Sequence, residues 1–134
     1  MIDFQFIEVC KIDLNSTKNW IEKIIFSEKK ILGDIMFVFC DDQFLLKKNI
    51  KYLNHDTLTD VISFDYSNEK KVSGDILISI DRVKENAKLY NQTFSTELNR
   101  VMAHGLLHLL GYNDKSKEEA KIMQSKENYY LSKL

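Results

Sequence analysis

Three side chains in the last third of the chain could share one metal ion: His104, His108 and Asp114. Two histidines four residues apart on a helix lie about 40° apart around its axis and one turn along it, so both imidazoles can reach one ion. Gly111 follows as a helix-stopping glycine that lets the chain fold back and bring Asp114 in from another direction. Zinc accepts imidazole and carboxylate ligands, and three protein ligands leave a fourth position for water, the pattern of a catalytic site. One zinc ion per chain is therefore expected, with metal-activated water as the nucleophile toward a phosphoryl or carbonyl centre. No side chain identifies itself as a general base. A histidine pair on an apolar helix also occurs as plain packing, and Asp114 also reads as a turn residue. The glycine stop, the carboxylate and the lack of any other histidine except His55 favour the metal.

The same spacing occurs in the long metalloprotease zinc motif, where a glutamate general base follows the first histidine. Here Gly105 stands in that place. A peptidase would lack the group that takes the water's proton.

These ligands need a scaffold, and the apolar pattern supplies one. At 134 residues, one domain over 1–134 is expected, long enough to bury a core without staples. Residues 2 to 9 alternate as a strand does. Asn15-Ser16-Thr17 offers caps for a helix with the stripe Trp20, Ile21, Ile24 and Ile25, broken by Gly33 and Asp34. Ile35 to Cys40 is a continuous apolar run, hence a strand covered on both faces. Asp41-Asp42 caps a helix carrying Leu46, Ile50 and Leu53 on one side. Thr59–Tyr66 and Val72–Ile80 read as a hairpin around the polar loop 67–71. Asp81 caps a helix with Val83, Ala87 and Tyr90. Ser95 opens the helix that carries the histidines, and Ser116 with Glu119 makes a capping box for the last one. The expected fold is α+β: a mixed sheet of about four strands with helices against it, the zinc helix near the C-terminus.

A net charge of −1 does not advertise a nucleic-acid binder, but phosphate binding needs only a local basic stripe. Lysines cluster at Lys29-Lys30, Lys47-Lys48-Lys51 and Lys70-Lys71, which also read as solvated surface. Cys10 and Cys40 have no clustered spacing and sit in apolar strand-like runs, so both are expected as buried hydrophobes. No run is long enough to span a membrane, and the alternating N-terminus is unlike a signal peptide. A reduced, cytoplasmic setting is expected.

The stretch His104 to Asp114 resembles the HGxLHLxGYDH signature of the YbeY family, bacterial endoribonucleases and ribosomal-RNA maturation factors. Glu119-Ala120 with Met123 is similar to that family's EAxxM continuation. Asp56 to Phe64 resembles its DxPTDVLSF segment, and Gly74-Asp75-Ile76 with Ile78-Ser79 its GDIxIS strand. Glu97-Leu98 stands ahead of the zinc helix in the same way.

The resemblance implies His104 and His108 as the first two metal ligands, with Asp114 where the family usually has histidine and Asn113 where it has aspartate. An anionic third ligand reduces the ion's positive charge and favours oxygen-loving metals such as manganese more than a third imidazole would. Leu53 replaces the arginine of the family's NxxYR stretch, leaving Lys47, Lys48 or Lys51 as substitutes for phosphate contact. The implied activity is metal-dependent cleavage of single-stranded RNA in ribosomal-RNA maturation and quality control. Implied partners are RNA, the small ribosomal subunit and ribosome-associated proteins, with no membrane. A non-cleaving ribosome-assembly factor with a structural metal is the alternative.

Asp60, Ser63 and Asp75 fall in the matched strands and could line a substrate groove or form a polar strand face. His55 reads as a solvated loop residue, Met123 as core, and Tyr112 as packing at the helix end or as support for the site.

Overall fold

The computed structural model describes residues 1–134. In chain order the elements are β1 (Ile2–Phe6), α1 (Thr17–Ser27), β2 (Ile31–Cys40), α2 (Asp42–Leu53), β3 (Val61–Asp65), β4 (Lys71–Ser79), α3 (Ile80–Leu89), α4 (Phe94–Leu109) and α5 (Lys117–Leu131). The four strands form one mixed sheet in the order β1-β2-β4-β3. β1 and β4 run parallel to β2, and the β3–β4 hairpin adds the single antiparallel pair, Ser63 opposite Ile76. An α+β domain with a four-stranded mixed sheet is what the apolar pattern implied.

Burial separates the two sheet faces. Ile35, Phe37, Phe39, Ile76 and Ile78 point to the larger core, closed by Trp20, Ile21 and Ile24 of α1, Val83 of α3, Leu98, Met102 and Leu106 of α4, and Met123 and Tyr130 of α5. Val38, Cys40, Ile62 and Leu77 point the other way, where Leu45 and Phe44 of α2 cover them together with Ile7 after β1. β2 is therefore buried on both sides, as its unbroken apolar run requires. One face of the sheet carries four helices, the other a single helix, α2.

Several local readings are corrected. α1 ends at Ser27, because Lys29 adopts a left-handed conformation (φ 60°) that no glycine announces. Gly33 and Asp34 do not break a helix; they lie inside β2, at a register irregularity between Leu32 and Ile35. A β-carbon on Gly33 would lie 2.7 Å from the Val72 carbonyl oxygen and collide with Ser73, so close strand approach requires glycine there. β1 stops at Phe6, ahead of Glu8 at φ 54°. Ser79 and Thr93, not Asp81 and Ser95, cap α3 and α4. α2 buries Leu45 and Asn49, while Leu46 is half-buried and Ile50 and Leu53 are exposed. Cys10 is exposed, and only Cys40 is buried.

Candidate metal centre

The histidines belong to the second half of α4, whose N-terminus Thr93 caps by accepting from the Thr96 amide. Leu98, Val101, Met102 and Leu106 anchor the helix on the sheet, leaving His104 and His108 half-buried along one edge. Gly111 at φ 101° turns the chain, as a residue just past a helix end often does. The Ser116–Glu119 capping box then starts α5, and Asp114 hangs in the short loop between them.

The three proposed ligands meet. His104 Nε2 lies 3.1 Å from His108 Nε2, and Asp114 Oδ2 lies 3.2 Å from the first and 3.5 Å from the second. Tetrahedral zinc with bonds of about 2.0–2.1 Å sets ligand atoms roughly 3.3–3.4 Å apart, so the triangle matches the edges of such a site. These donors could hold a metal. His55 is exposed and is not among them.

Behind the first histidine stands a second layer that motif reading missed. Glu127 of α5 accepts from His104 Nδ1 at 2.8 Å and from Arg100 Nη1 at 3.1 Å, with its side chain only 9% exposed. A carboxylate can only accept, so Nδ1 carries the hydrogen and Nε2 faces Asp114. Arg100 also donates to Asn128 Oδ1 at 3.0 Å. Arg100 lies one helical turn before His104, a placement legible from spacing, but Glu127 arrives from another helix and left no sequence signal.

Charge at the site is crowded. Burial lowers the His104 imidazole, but the Glu127 bond and the charges of Glu127, Asp114 and Asp60 outweigh it and leave the ring above its ordinary range. His108 goes below, through burial and the His104 charge. Asp60 is pushed up by burial despite the attraction of His104, and Glu97 by burial and by the charges of Asp60 and Glu127. Arg100 is shared by Glu97 and Glu127, and with Asp60 near His104 the carboxyls outnumber the cations, a balance that favours a cation at the histidines.

The remaining candidates separate by face. Asp60 starts the β3 side beside His104 and accepts from Asn86 Nδ2 at 3.3 Å. Ser63 donates to the Gly105 carbonyl at 3.2 Å, tying β3 to α4. Asp75 points to the opposite sheet face, where Tyr66 reaches it at 3.4 Å. Met123 is core and also lines a cleft of about 530 Å³ beside His104 and Asp114, together with Glu97, Arg100 and Gln124. A larger cavity, over Trp20 and Tyr129 between α1 and α5, contains none of the candidate ligands.

Tyr112 supports the turn. It donates to Glu28 Oε1 at 2.5 Å, while Tyr130 and Lys126 donate to Oε2, the lysine at 3.1 Å. Burial raises the Glu28 carboxyl, but these three donors outweigh it and hold it below the ordinary range. The loop bearing Asp114 is thereby pinned to the ends of α1 and α5.

Gly105 has a packing reason. A β-carbon there would lie 2.6 Å from Ile76 Cγ2 and 3.3 Å from Ser63 Oγ. This position faces the sheet, not the ligands, so a protease-type glutamate has no room.

Comparison with known proteins bears on all of this. A family model described as Endoribonuclease YbeY matches residues 4–134. An Endoribonuclease YbeY of Flavobacterium johnsoniae is 49% identical over 129 residues, 96% of this chain and 93% of that one. Its namesake in Phocaeicola vulgatus is 40% identical over 134 residues, 98% and 97% of the two chains. The solution structure of TM1509 from Thermotoga maritima superposes with a TM-score of 0.72 at 30% identity, covering 98% of this chain and 87% of that one.

Proposed function

Because the chain belongs to the endoribonuclease YbeY family, we propose that it is a metal-dependent endoribonuclease specific for single-stranded RNA, acting in ribosomal-RNA maturation and ribosome quality control. The observation that carries the metal dependence is the convergence of three ligand atoms of His104, His108 and Asp114 within 4.8 Å of one another. Zinc is the ion we assign, one per chain, held by those three residues. When bound, it supplies Lewis acidity at a phosphodiester and activates water for the attack.

The protein's own groups do the positioning. Glu127 orients the His104 ring, Arg100 holds Glu127, and Tyr112 with Glu28 holds the loop that presents Asp114. The cleft beside Arg100 and Gln124 gives the substrate backbone an approach to the ligands. RNA, the small ribosomal subunit and ribosome-associated proteins are the partners we assign, and the cytoplasm is the setting. No helix is long and apolar enough to cross a membrane.

A peptidase reading fails on the contact between position 105 and Ile76. A ribosome-assembly factor that binds without cutting is favoured by one observation, the exposed Leu53 in place of the family arginine. One experiment separates these readings. Zinc-loaded wild type and His108→Ala are compared for bound metal and for cutting of single-stranded against hairpin RNA. Wild type should cut the single strand and the variant should neither hold zinc nor cut. Cleavage that persists in the metal-free variant would overturn the mechanism, and binding without cleavage by zinc-loaded wild type would select the assembly factor.

A further inference from the structure

We propose that Tyr52, flanked by Lys48 and Lys51, is a stacking platform for single-stranded RNA on the sheet face opposite the metal centre, which the strand reaches by rounding the β3 edge. This rests on the RNA-cleaving reading of that centre.

The starting observation is an apolar surface in the wrong place. α2 buries Leu45 and Asn49, so its C-terminal half and the loop after it leave Ile50, Tyr52, Leu53 and Leu58 exposed, with Tyr52 at 52%. Tyr52 is nevertheless fixed: its ring meets Phe64 of β3 edge-on, 5.5 Å between centroids at 80°. The ring is held by this contact yet remains largely solvent-exposed. Such an arrangement suits a flat aromatic partner.

Charge selects among aromatic partners. Lys48 Nζ and Lys51 Nζ lie over the Tyr52 ring, 5.6 and 5.1 Å from its centroid, and Lys48 Nζ also lies over Phe44 at 5.3 Å. Lys47 is exposed on the preceding turn. A base stacking on Tyr52 would displace a flexible lysine head from over the ring onto its own phosphates, joining stacking surface and backbone cations as single strands require. Tyr66 is not part of the platform, because its hydroxyl is bound to the Asp75 carboxylate, which repels phosphate.

The topology supplies the route. β3 is the edge strand of the sheet. Ser63 of β3 donates to the Gly105 carbonyl, next to His104, and Phe64, the next residue along, lies under Tyr52 on the other face. Platform and candidate metal centre thus lie on opposite faces of the same stretch of the edge strand. No further strand lies beyond β3 to block a single strand rounding that edge.

The test uses His108→Ala protein, so that RNA is bound but not cut, and a fluorescein-labelled single strand about a dozen nucleotides long, read by anisotropy over a KCl series. Tyr52→Ala should weaken binding roughly 5- to 100-fold while Tyr52→Trp retains it. Lys48→Ala with Lys51→Ala should make the log affinity against log salt shallower by about 1.4. Thermal melting of each variant accompanies the titration, and the tryptophan variant keeps the test valid if the alanine variant loses its fold. Affinity of Tyr52→Ala within about twofold of its parent would overturn the platform alone, as would equally tight binding of a duplex of the same sequence. Absence of RNA binding by the parent, with no cleavage by zinc-loaded wild type, would remove the RNA reading along with it.

Discussion

Glu127 provides the most discriminating perturbation of the candidate metal centre. Its carboxylate bonds His104 Nδ1 at 2.8 Å and Arg100 at 3.1 Å, inside a side chain 9% exposed. Glu127→Gln keeps an acceptor in reach of Nδ1 but removes the charge, and charge-assisted bonds are about twice as strong as neutral ones. A loss of about 1.4 kcal/mol, or tenfold in zinc affinity, is expected for that change. Glu127→Ala removes acceptor and charge together, frees the ring to turn, and should cost up to about 100-fold, near the top of the range for partners behind a metal ligand. Arg100→Met separates orientation from simple charge: removing a nearby cation strengthens zinc binding if only the field matters, and weakens it if Arg100 acts by holding Glu127. The assay is competition for zinc against a chromophoric chelator at fixed pH, with metal-free melting curves run alongside. If Glu127→Ala binds zinc within about twofold of wild type, the orienting role is wrong.

Other consequences can be measured on the same material. Gly105→Ala should destabilise by about 1–3 kcal/mol, from the 2.6 Å approach to Ile76, and Gly105→Glu should lower the melting temperature further without conferring peptidase activity on a peptide panel. Asp114→His should shift the ratio of zinc to manganese affinity toward zinc, since a third imidazole replaces an oxygen donor; an unchanged ratio by isothermal titration would deny Asp114 a ligand's place. Glu28 gives a pH signature: its folded carboxyl titrates below the ordinary value, so its contribution is present above about pH 4.3, the unfolded value, and is lost as pH falls through the folded one. Glu28→Gln should therefore cost roughly 1–3 kcal/mol at neutral pH, with the gap in melting temperature closing in acid; a gap independent of pH would refute the charged network.

Features that depend on neighbours along the chain were legible from residue order alone. His104 and His108 share a helix face because helical pitch puts residues four apart on one side, and Gly111 permits the turn that returns Asp114. The double-sided burial of β2, the β3–β4 hairpin and the capping box of α5 were legible for the same reason. Errors arose where a local signal was absent or ambiguous. Lys29 ends α1 without a glycine, and Gly33 serves strand approach where it reads as a helix breaker. The stripe Leu46, Ile50 and Leu53 is helical in period, but period does not say which stripe meets the sheet, and Leu45 took that place. What lies behind and around the candidate ligands follows from packing between elements far apart in the chain. Glu127 and Glu28 stand 23 and 84 residues from the His104 and Tyr112 side chains they hold. Their partners are chosen by how α5 and α1 pack against α4, and side-chain type carries no record of that packing until the core closes.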